Sequence, residues 1–224
     1  VKIAVLYPEL LGTYGDGGNG VVAVERLRRR GIDATLEYAS IGDPLPDAGL
    51  YLLGGGEDGP QRLAADLLRA TDFVSRVRDG AHVLAVCAGL QILGASFSVE
   101  GNDEYEGVGL VDVVTRRGER RSVGELCTKV GERFLVGFEN HGGRTTLASG
   151  LEPLGRVLTG RGNDGATDGF RTVGVWGTYA HGPVLAMNPW LCDEILESLT
   201  GRTLEPLASA ADRLYEERRA ALAP

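Results

Sequence analysis

Three runs, KIAVLY at 2–7, YLLGG at 51–55 and HVLAV at 82–86, are continuously apolar after their first residue and do not alternate with polar residues. A strand written this way is buried on both faces, which is the state of a parallel strand covered by helices above and below. The stretches between the runs carry helical spacing. GNGVVAVERLRRRG at 18–31 places Val21, Val22, Val24 and Leu27 near one face and ends at a glycine. PQRLAADLLRATDFVSRVRDG at 60–80 reads as one helix, with proline in its first turn and glycine at its end. Strands alternating with helices of this length predict an α/β fold built on a mainly parallel central sheet with helices on both faces. Chemistry in such sheets gathers at the carboxyl ends of the strands. LGTYGDGGN, LGGGEDG and CAGLQ should therefore meet at one edge.

Beyond Gly101 the pattern shifts to shorter extended runs, EGVGLVDVVT, GELCTKV, RFLVGFEN, PLGRVLT and RTVGVWGTYAHG, so the second half is expected to be β-rich. The end of the chain predicts a helix at about 204–221, with Leu207, Ala211, Leu214 and Tyr215 on a stripe docked against the core. At 224 residues the whole, 1–224, is expected to form a single domain.

Thirty-one acidic against 23 basic residues, a formal charge of −8, argue against a nucleic-acid partner. Three cysteines, Cys87, Cys127 and Cys192, form no disulfide framework and no zinc spacing, so no metal and a reducing cytoplasm are expected. The opening apolar run breaks at Pro8, too short for a transmembrane segment.

The apolar run HVLAV leads directly into CAGLQILG, where a strand gives way to helical spacing. A nucleophile elbow sits at such a turn and needs small residues two before and two after the nucleophile; Ala85 and Gly89 stand there. Cys87 would be exposed at the top of the sheet beside a helix N-terminus, whose dipole lowers a thiolate's pKa, with the Ala88 N–H facing an oxyanion. Cys127, in an extended run, and Cys192, in a helical one, lack that setting and are read as packing residues. A cysteine nucleophile needs a base. His82 begins the strand leading to the elbow and should lie at the opposite edge. His141 and His181 both end extended runs in glycine-rich turns, and their order in the chain favours neither. The run Gly54-Gly55-Gly56 has no P-loop lysine; it is either a tight turn or a second oxyanion donor opposite Ala88.

Taken together, YGDGGN, LGGGEDGPQ, CAGLQILG, EGVGLVDVVT, GFENHGGRT and GTYAHGPVLAMNP resemble the class I glutamine amidotransferases, in their CobB/CobQ-like branch. Within it they are most similar to the glutaminase subunits of lipid II isoglutaminyl synthases, in this order from about Tyr14 to Pro189. The resemblance implies a flavodoxin-like, class I amidotransferase fold. It implies hydrolysis of L-glutamine to glutamate and ammonia, with Cys87 as nucleophile and His181 as general base. Arg121 matches the arginine that binds glutamine, and Gly55 or Gly56 would give the second oxyanion N–H. The implied partner is a MurT-type, Mur-ligase-like subunit in a heterodimer, which holds the lipid II acceptor and uses ATP and Mg to amidate the α-carboxyl of its D-glutamate. No cofactor is expected in this chain, whose tie to the inner membrane face would run through lipid II.

Most triad amidotransferases carry a glutamate two residues after the histidine, whereas here Gly182 and Pro183 follow His181. Asp16 is a candidate for the missing polar support and Glu139 a weaker one; either could equally cap a turn. The expectation drawn from this gap is that the partner supplies or arranges the orienting carboxylate, leaving the isolated chain a slow glutaminase. His141 could lie at the site or hold a turn. Two other readings remain at this level: an amidotransferase serving another acceptor, such as the cobyrinate carboxylates, and a non-catalytic regulatory subunit of a ligase.

Overall fold

The computed structural model describes residues 1–99 and 103–222. The chain begins with β1 (Lys2–Leu6), α1 (Pro8–Leu11), α2 (Gly18–Arg28), β2 (Thr35–Ala39), β3 (Leu50–Leu53), α3 (Asp58–Arg69), α4 (Phe73–Arg78), β4 (His82–Val86) and α5 (Ala88–Leu93). It continues through β5 (Ser96–Ser98), β6 (Glu104–Glu106), β7 (Val113–Val130), β8 (Arg133–Leu147), β9 (Gly155–Thr159) and β10 (Thr167–Asp168). It closes with β11 (Phe170–Thr172), β12 (Val175–Thr178), α6 (Val184–Met187), α7 (Pro189–Thr200) and α8 (Ala210–Leu222).

A six-stranded sheet in the order β11-β12-β4-β3-β1-β2 forms the centre, parallel throughout except for the edge hairpin β11–β12. The apolar runs supply its middle: Ile3, Leu6, Leu50, Val83 and Val86 are completely buried. Helices have to cover both faces of such a sheet, because neither face has polar side chains to offer water. The carboxyl ends of β1, β3, β4 and β12 point to one edge, and the glycine-rich loops predicted to meet there do so.

The second half is β-rich as expected, but its strands are longer than the sequence pattern suggests. β7 runs 18 residues and β8 runs 15, paired antiparallel as one hairpin turned at Gly131. A register shift between Arg117 and Ser122 breaks the alternation, which is why the pieces look separate in the sequence. The predicted run 106–115 is extended strand only from Val113. Its first residues instead wrap the end of α5, where Val108 and Leu110 donate backbone N–H groups to the Ile92 and Leu93 carbonyls at 2.8 and 3.0 Å. Gly101, where the sequence changes character, lies outside the described residues.

Two helix expectations need correction. The helix expected over 60–80 is two, broken at Thr71, whose hydroxyl donates to Leu68 O at 2.7 Å and accepts from Phe73 N at 3.2 Å. The final helix starts at Ala210 rather than near 204. Pro206 stands in the nonhelical lead-in, and Asp212 in the first turn caps the start by accepting the Ser209 N–H and Oγ–H at 2.8 and 2.6 Å. No residue of this helix is buried and Leu214 is 44% exposed, so it lies on the surface rather than in the core. The Tyr215 hydroxyl anchors it, donating to Phe134 O at 3.0 Å.

Candidate active site

Cys87 directly follows β4 and adopts φ 53°, ψ −106°, a conformation costly for a side-chain-bearing residue and held only by its surroundings. Its N–H donates to Thr178 O on the neighbouring β12 at 2.9 Å, and the Gly89 N–H donates to Gly54 O at 3.1 Å, so the bend is fastened to the strands on both sides. A Cβ at Gly89 would come within 2.8 Å of the Leu53 backbone oxygen, which explains why only glycine stands there. The local geometry is thus that of the expected elbow.

The expectation of an exposed, acidified thiol is not met. Cys87 is 5% exposed and burial pushes its thiol up to about 12, with the Asp16 carboxylate adding to the rise. The Ala88 N–H and the Arg121 guanidinium act in the opposite direction. One amide at the head of a six-residue helix does not offset removal of a thiolate from water.

His181 follows the adjacent strand β12. It is completely buried, with its backbone bridged to Phe138 of β8 and its ring between Tyr14 (centroids 4.4 Å apart) and Phe138 (5.3 Å). Its Nδ1 lies 2.9 Å from Asp16 Oδ2, which also accepts the Gly55 N–H at 2.9 Å. A carboxylate at Nδ1 fixes the proton on that nitrogen and leaves Nε2 as the acceptor. Nε2 is buried without a hydrogen-bond partner among the described residues, so no hydrogen bond joins it to Cys87 here.

Asp16, the first candidate for polar support, stands at the imidazole, so this chain has a carboxylate of its own there and the expectation that the partner supplies one is not needed. The same contact removes Gly55 as an oxyanion donor, because its amide is already spent on Asp16. Gly56 keeps its place on the wall of a cavity of about 430 Å³, beside Cys87 and Ala88. All three glycines are needed for packing: a Cβ at Gly54 or Gly56 would strike the Leu11 or Leu10 carbonyl, and one at Gly55 would lie 2.5 Å from His181 Cε1.

Arg121 reaches the same cavity from the irregular stretch of β7. Its Nε donates to Asn140 Oδ1 at 2.6 Å and its Nη2 to the Tyr14 hydroxyl at 3.1 Å, leaving a guanidinium with no carboxylate partner among the described residues. His141 also lines the cavity. Its Nδ1 lies 3.1 Å from Gly143 O and its Nε2 3.1 Å from Glu139, while the ring stacks on Tyr179 at 3.8 Å. Burial holds its pKa below the ordinary histidine value despite Glu139. The expectation of a glycine-rich turn at His141 is not met: it lies within β8, opposite Ser122, where its ring bonds to Gly143 of the same strand and lines the cavity. Glu139 serves His141 and the Gly162 N–H, not His181.

His82 is distant from this edge, stacked on Trp176 and 2.9 Å from Ser198 Oγ. Cys127 and Cys192 are completely buried in β7 and α7. Tyr14, Phe138 and Asn140 carry no chemical signal of their own in the sequence, although they lie within LGTYGDGGN and GFENHGGRT, which do. Among the described residues no cluster of three metal-binding side chains occurs, and no helix is long and apolar enough to cross a membrane.

The CobB/CobQ-like glutamine amidotransferase domain matches residues 2–189. The subunit GatD of the glutamine-hydrolysing lipid II isoglutaminyl synthase of Streptococcus pneumoniae is 32% identical over 197 residues, 84% of this chain and 76% of that protein. GatD of Staphylococcus aureus is 32% identical over 200 residues, 86% of this chain and 81% of that one. The cobyric acid synthase of Pelotomaculum thermopropionicum is also 32% identical, but only 37% of its length is matched. Among solved structures, a glutamine amidotransferase superposes with a TM-score of 0.60 at 21% identity, covering 88% of this chain and 98% of that one. A Thermotoga maritima glutamine amidotransferase gives 0.55 at 16%, covering 99% and 94%. Those structures share the fold; the sequence match over most of the length goes further, and the chain belongs to the CobB/CobQ-like glutamine amidotransferase family.

Proposed function

We propose that this chain is the glutaminase subunit of a lipid II isoglutaminyl synthase. It hydrolyses L-glutamine at Cys87 and delivers ammonia to a MurT-type ligase that amidates the D-glutamate α-carboxyl of lipid II. The observation that carries the chemistry is the buried His181–Asp16 pair at the end of the strand adjoining the Cys87 elbow. Similarity to two GatD subunits over most of both chains supports the acceptor.

In this reading Arg121, oriented by Asn140 and Tyr14, binds the α-carboxylate of glutamine. The Nε2 lone pair of His181 takes the Cys87 proton as Sγ attacks the side-chain amide carbon. Proton and charge separate together, so a thiol of high resting pKa need not ionise beforehand. The Ala88 and Gly56 N–H groups hold the oxyanion. The imidazolium, steadied by Asp16, then protonates the departing nitrogen and ammonia leaves a γ-glutamyl thioester. Water, deprotonated by the same Nε2, attacks the thioester carbon; glutamate departs and Cys87 regains its proton. Because Nε2 and Cys87 are not hydrogen-bonded at rest, substrate binding must bring them together, and Tyr14, packed on the imidazole and bonded to Arg121, links the binding group to the base.

The test is reconstitution with the ligase subunit, ATP, Mg and lipid II. Cys87→Ala should abolish glutamine-driven amidation and leave amidation by added ammonium intact. Loss of both activities would contradict this division of labour.

A further inference from the structure

The irregular stretch of β7 that carries Arg121 also gathers basic residues that this chemistry does not use. Arg116 pairs in register directly opposite Arg144 on β8, a placement that sets like charges against each other. The Arg144 guanidinium donates only to uncharged oxygens: Gly143 O at 2.7 Å, Arg120 O at 3.0 Å and Ser122 Oγ at 3.2 Å. Burial lowers its pKa, and the positive charge of Arg161 lowers it further. Arg117, Arg120, Arg144 and Arg161 line a concavity of about 310 Å³, which shares Arg117, Gly118 and Glu119 with the wall of the Cys87 cavity.

None of these arginines forms an ion pair among the described residues, although the chain carries a formal −8. Elsewhere carboxylates are found for Arg26 and Arg30 (both with Asp193), Arg29, Arg69, Arg76, Arg171, Arg218 and Arg219, while Arg28, Arg78, Arg133 and Arg156 also lack one among the described residues, so what sets the four apart is their convergence on one concavity. Glu119 is the single carboxylate lining the concavity, and it pairs with none of them among the described residues. Arg144 is tied into the hairpin by these bonds, but four guanidinium groups converging on one concavity with a single carboxylate make a local positive patch beside the Cys87 cavity of an acidic protein. A flat anionic membrane fits poorly, since it would meet the net negative charge of the rest of the chain.

We propose that this arginine concavity receives an acidic segment of the ammonia-accepting subunit and seats that subunit beside the mouth of the Cys87 cavity. The proposal rests on the reading that the chain feeds a separate ligase subunit. It adds the chemistry and place of the contact, and it would bring the acceptor site to where ammonia is released.

Titration calorimetry with the purified MurT-type subunit tests it. Between 50 and 300 mM NaCl the wild-type Kd should rise at least about tenfold, as expected for close charge pairs. At 50 mM NaCl, R120E/R161E should weaken binding on the order of 100-fold and R120Q/R161Q about tenfold, whereas R202E, in the exposed loop after α7, should change it less than about twofold. Circular dichroism melts verify that the variants are folded, and the neutral pair serves if charge reversal unfolds the chain. A Kd unaffected by both double variants, or by salt, overturns the proposal. So does wild-type binding to phosphatidylglycerol vesicles that R120E/R161E abolishes while subunit binding stays intact. Glutamine-driven amidation in the same mixtures separates the two ideas. Amidation that persists with an unchanged Kd in the variants removes the docking surface and keeps the function. Charge-dependent association without amidation keeps the surface and removes the acceptor.

Discussion

Asp16 and His181 stand 165 residues apart in the chain, yet their side chains meet at 2.9 Å in a fully enclosed contact. The loop between α1 and α2 supplies the carboxylate and the segment after β12 the imidazole. Asn19, at the start of α2, ties the two segments together by accepting the Leu185 N–H at 2.9 Å. Asp16→Asn should keep the shape but lose the charge that stabilises an imidazolium and selects its tautomer. Glutaminase kcat should fall roughly 10²- to 10⁴-fold with a much smaller change in KM. Steady-state kinetics with and without the ligase subunit would check this; an unchanged kcat would mean that another carboxylate orients the base.

Gly55→Ala probes the same pair from the other side. The added Cβ would lie 2.5 Å from His181 Cε1 and 3.0 Å from Tyr14, so the imidazole has to move while the rest of the fold need not. A drop in kcat on the order of 100-fold with a preserved circular dichroism spectrum is expected. Wild-type turnover in this variant would show that the ring position is not critical.

How much of this was readable in advance differs between the two halves. β1, β3 and β4 are legible because burial on both faces leaves no polar positions, and the Cys87 bend because small residues flank it. The β7–β8 hairpin is hidden by its own irregularity between Arg117 and Ser122, and the start of α8 by a cap that only Ser209 and Asp212 reveal. Asp16 stands out only through the resemblance, as a candidate support with a turn-capping alternative, and tertiary folding decides between the two by putting His181 beside it. That Gly55 spends its amide on Asp16 has no sequence signal, since Gly54, Gly55 and Gly56 read alike. Nor does a cysteine at an elbow reveal whether the closed site is wet or dry.

The resting thiol gives a pH prediction. With Cys87 pushed up to about 12, mainly by burial, the neutral thiol dominates at every pH below that value. Each unit rise in pH then increases the thiolate fraction about tenfold. Iodoacetamide labelling of Cys87, measured as a rate by mass spectrometry in the absence of glutamine, should climb steadily from pH 7 to 10. A plateau near pH 7 would show that the thiolate is already formed at rest.

Arg121→Lys retains a positive charge but loses the planar fork that Asn140 and Tyr14 hold in place. KM for glutamine should rise about 10- to 100-fold with kcat changed far less, since the α-carboxylate is remote from the reacting amide. A fall confined to kcat would argue against a binding role.

Asp168 ties together the end of β12, accepting from Thr178 Oγ1 at 2.6 Å and from Tyr179 N at 3.0 Å. Burial raises its carboxyl from 3.8 to about 6. A raised value in the folded state means that the native chain binds this proton more tightly than the unfolded chain does. The resulting stabilisation is complete below about pH 4 and lost as pH climbs to about 6. Asp168→Asn cannot titrate, so the wild-type Tm should decline relative to the variant between pH 4 and 6.5. Parallel melting profiles would contradict this.

The most direct measurement of the central claim uses a glutamine analogue carrying an electrophilic diazoketone in place of the side-chain amide. The chain is incubated with it and the adduct is located by peptide mass spectrometry. One adduct per chain on Cys87, prevented by excess glutamine and strongly slowed in Asp16→Asn and His181→Ala, is the expected result. Adducts on Cys127 or Cys192, or labelling of Cys87 that is indifferent to glutamine and to both substitutions, would contradict it.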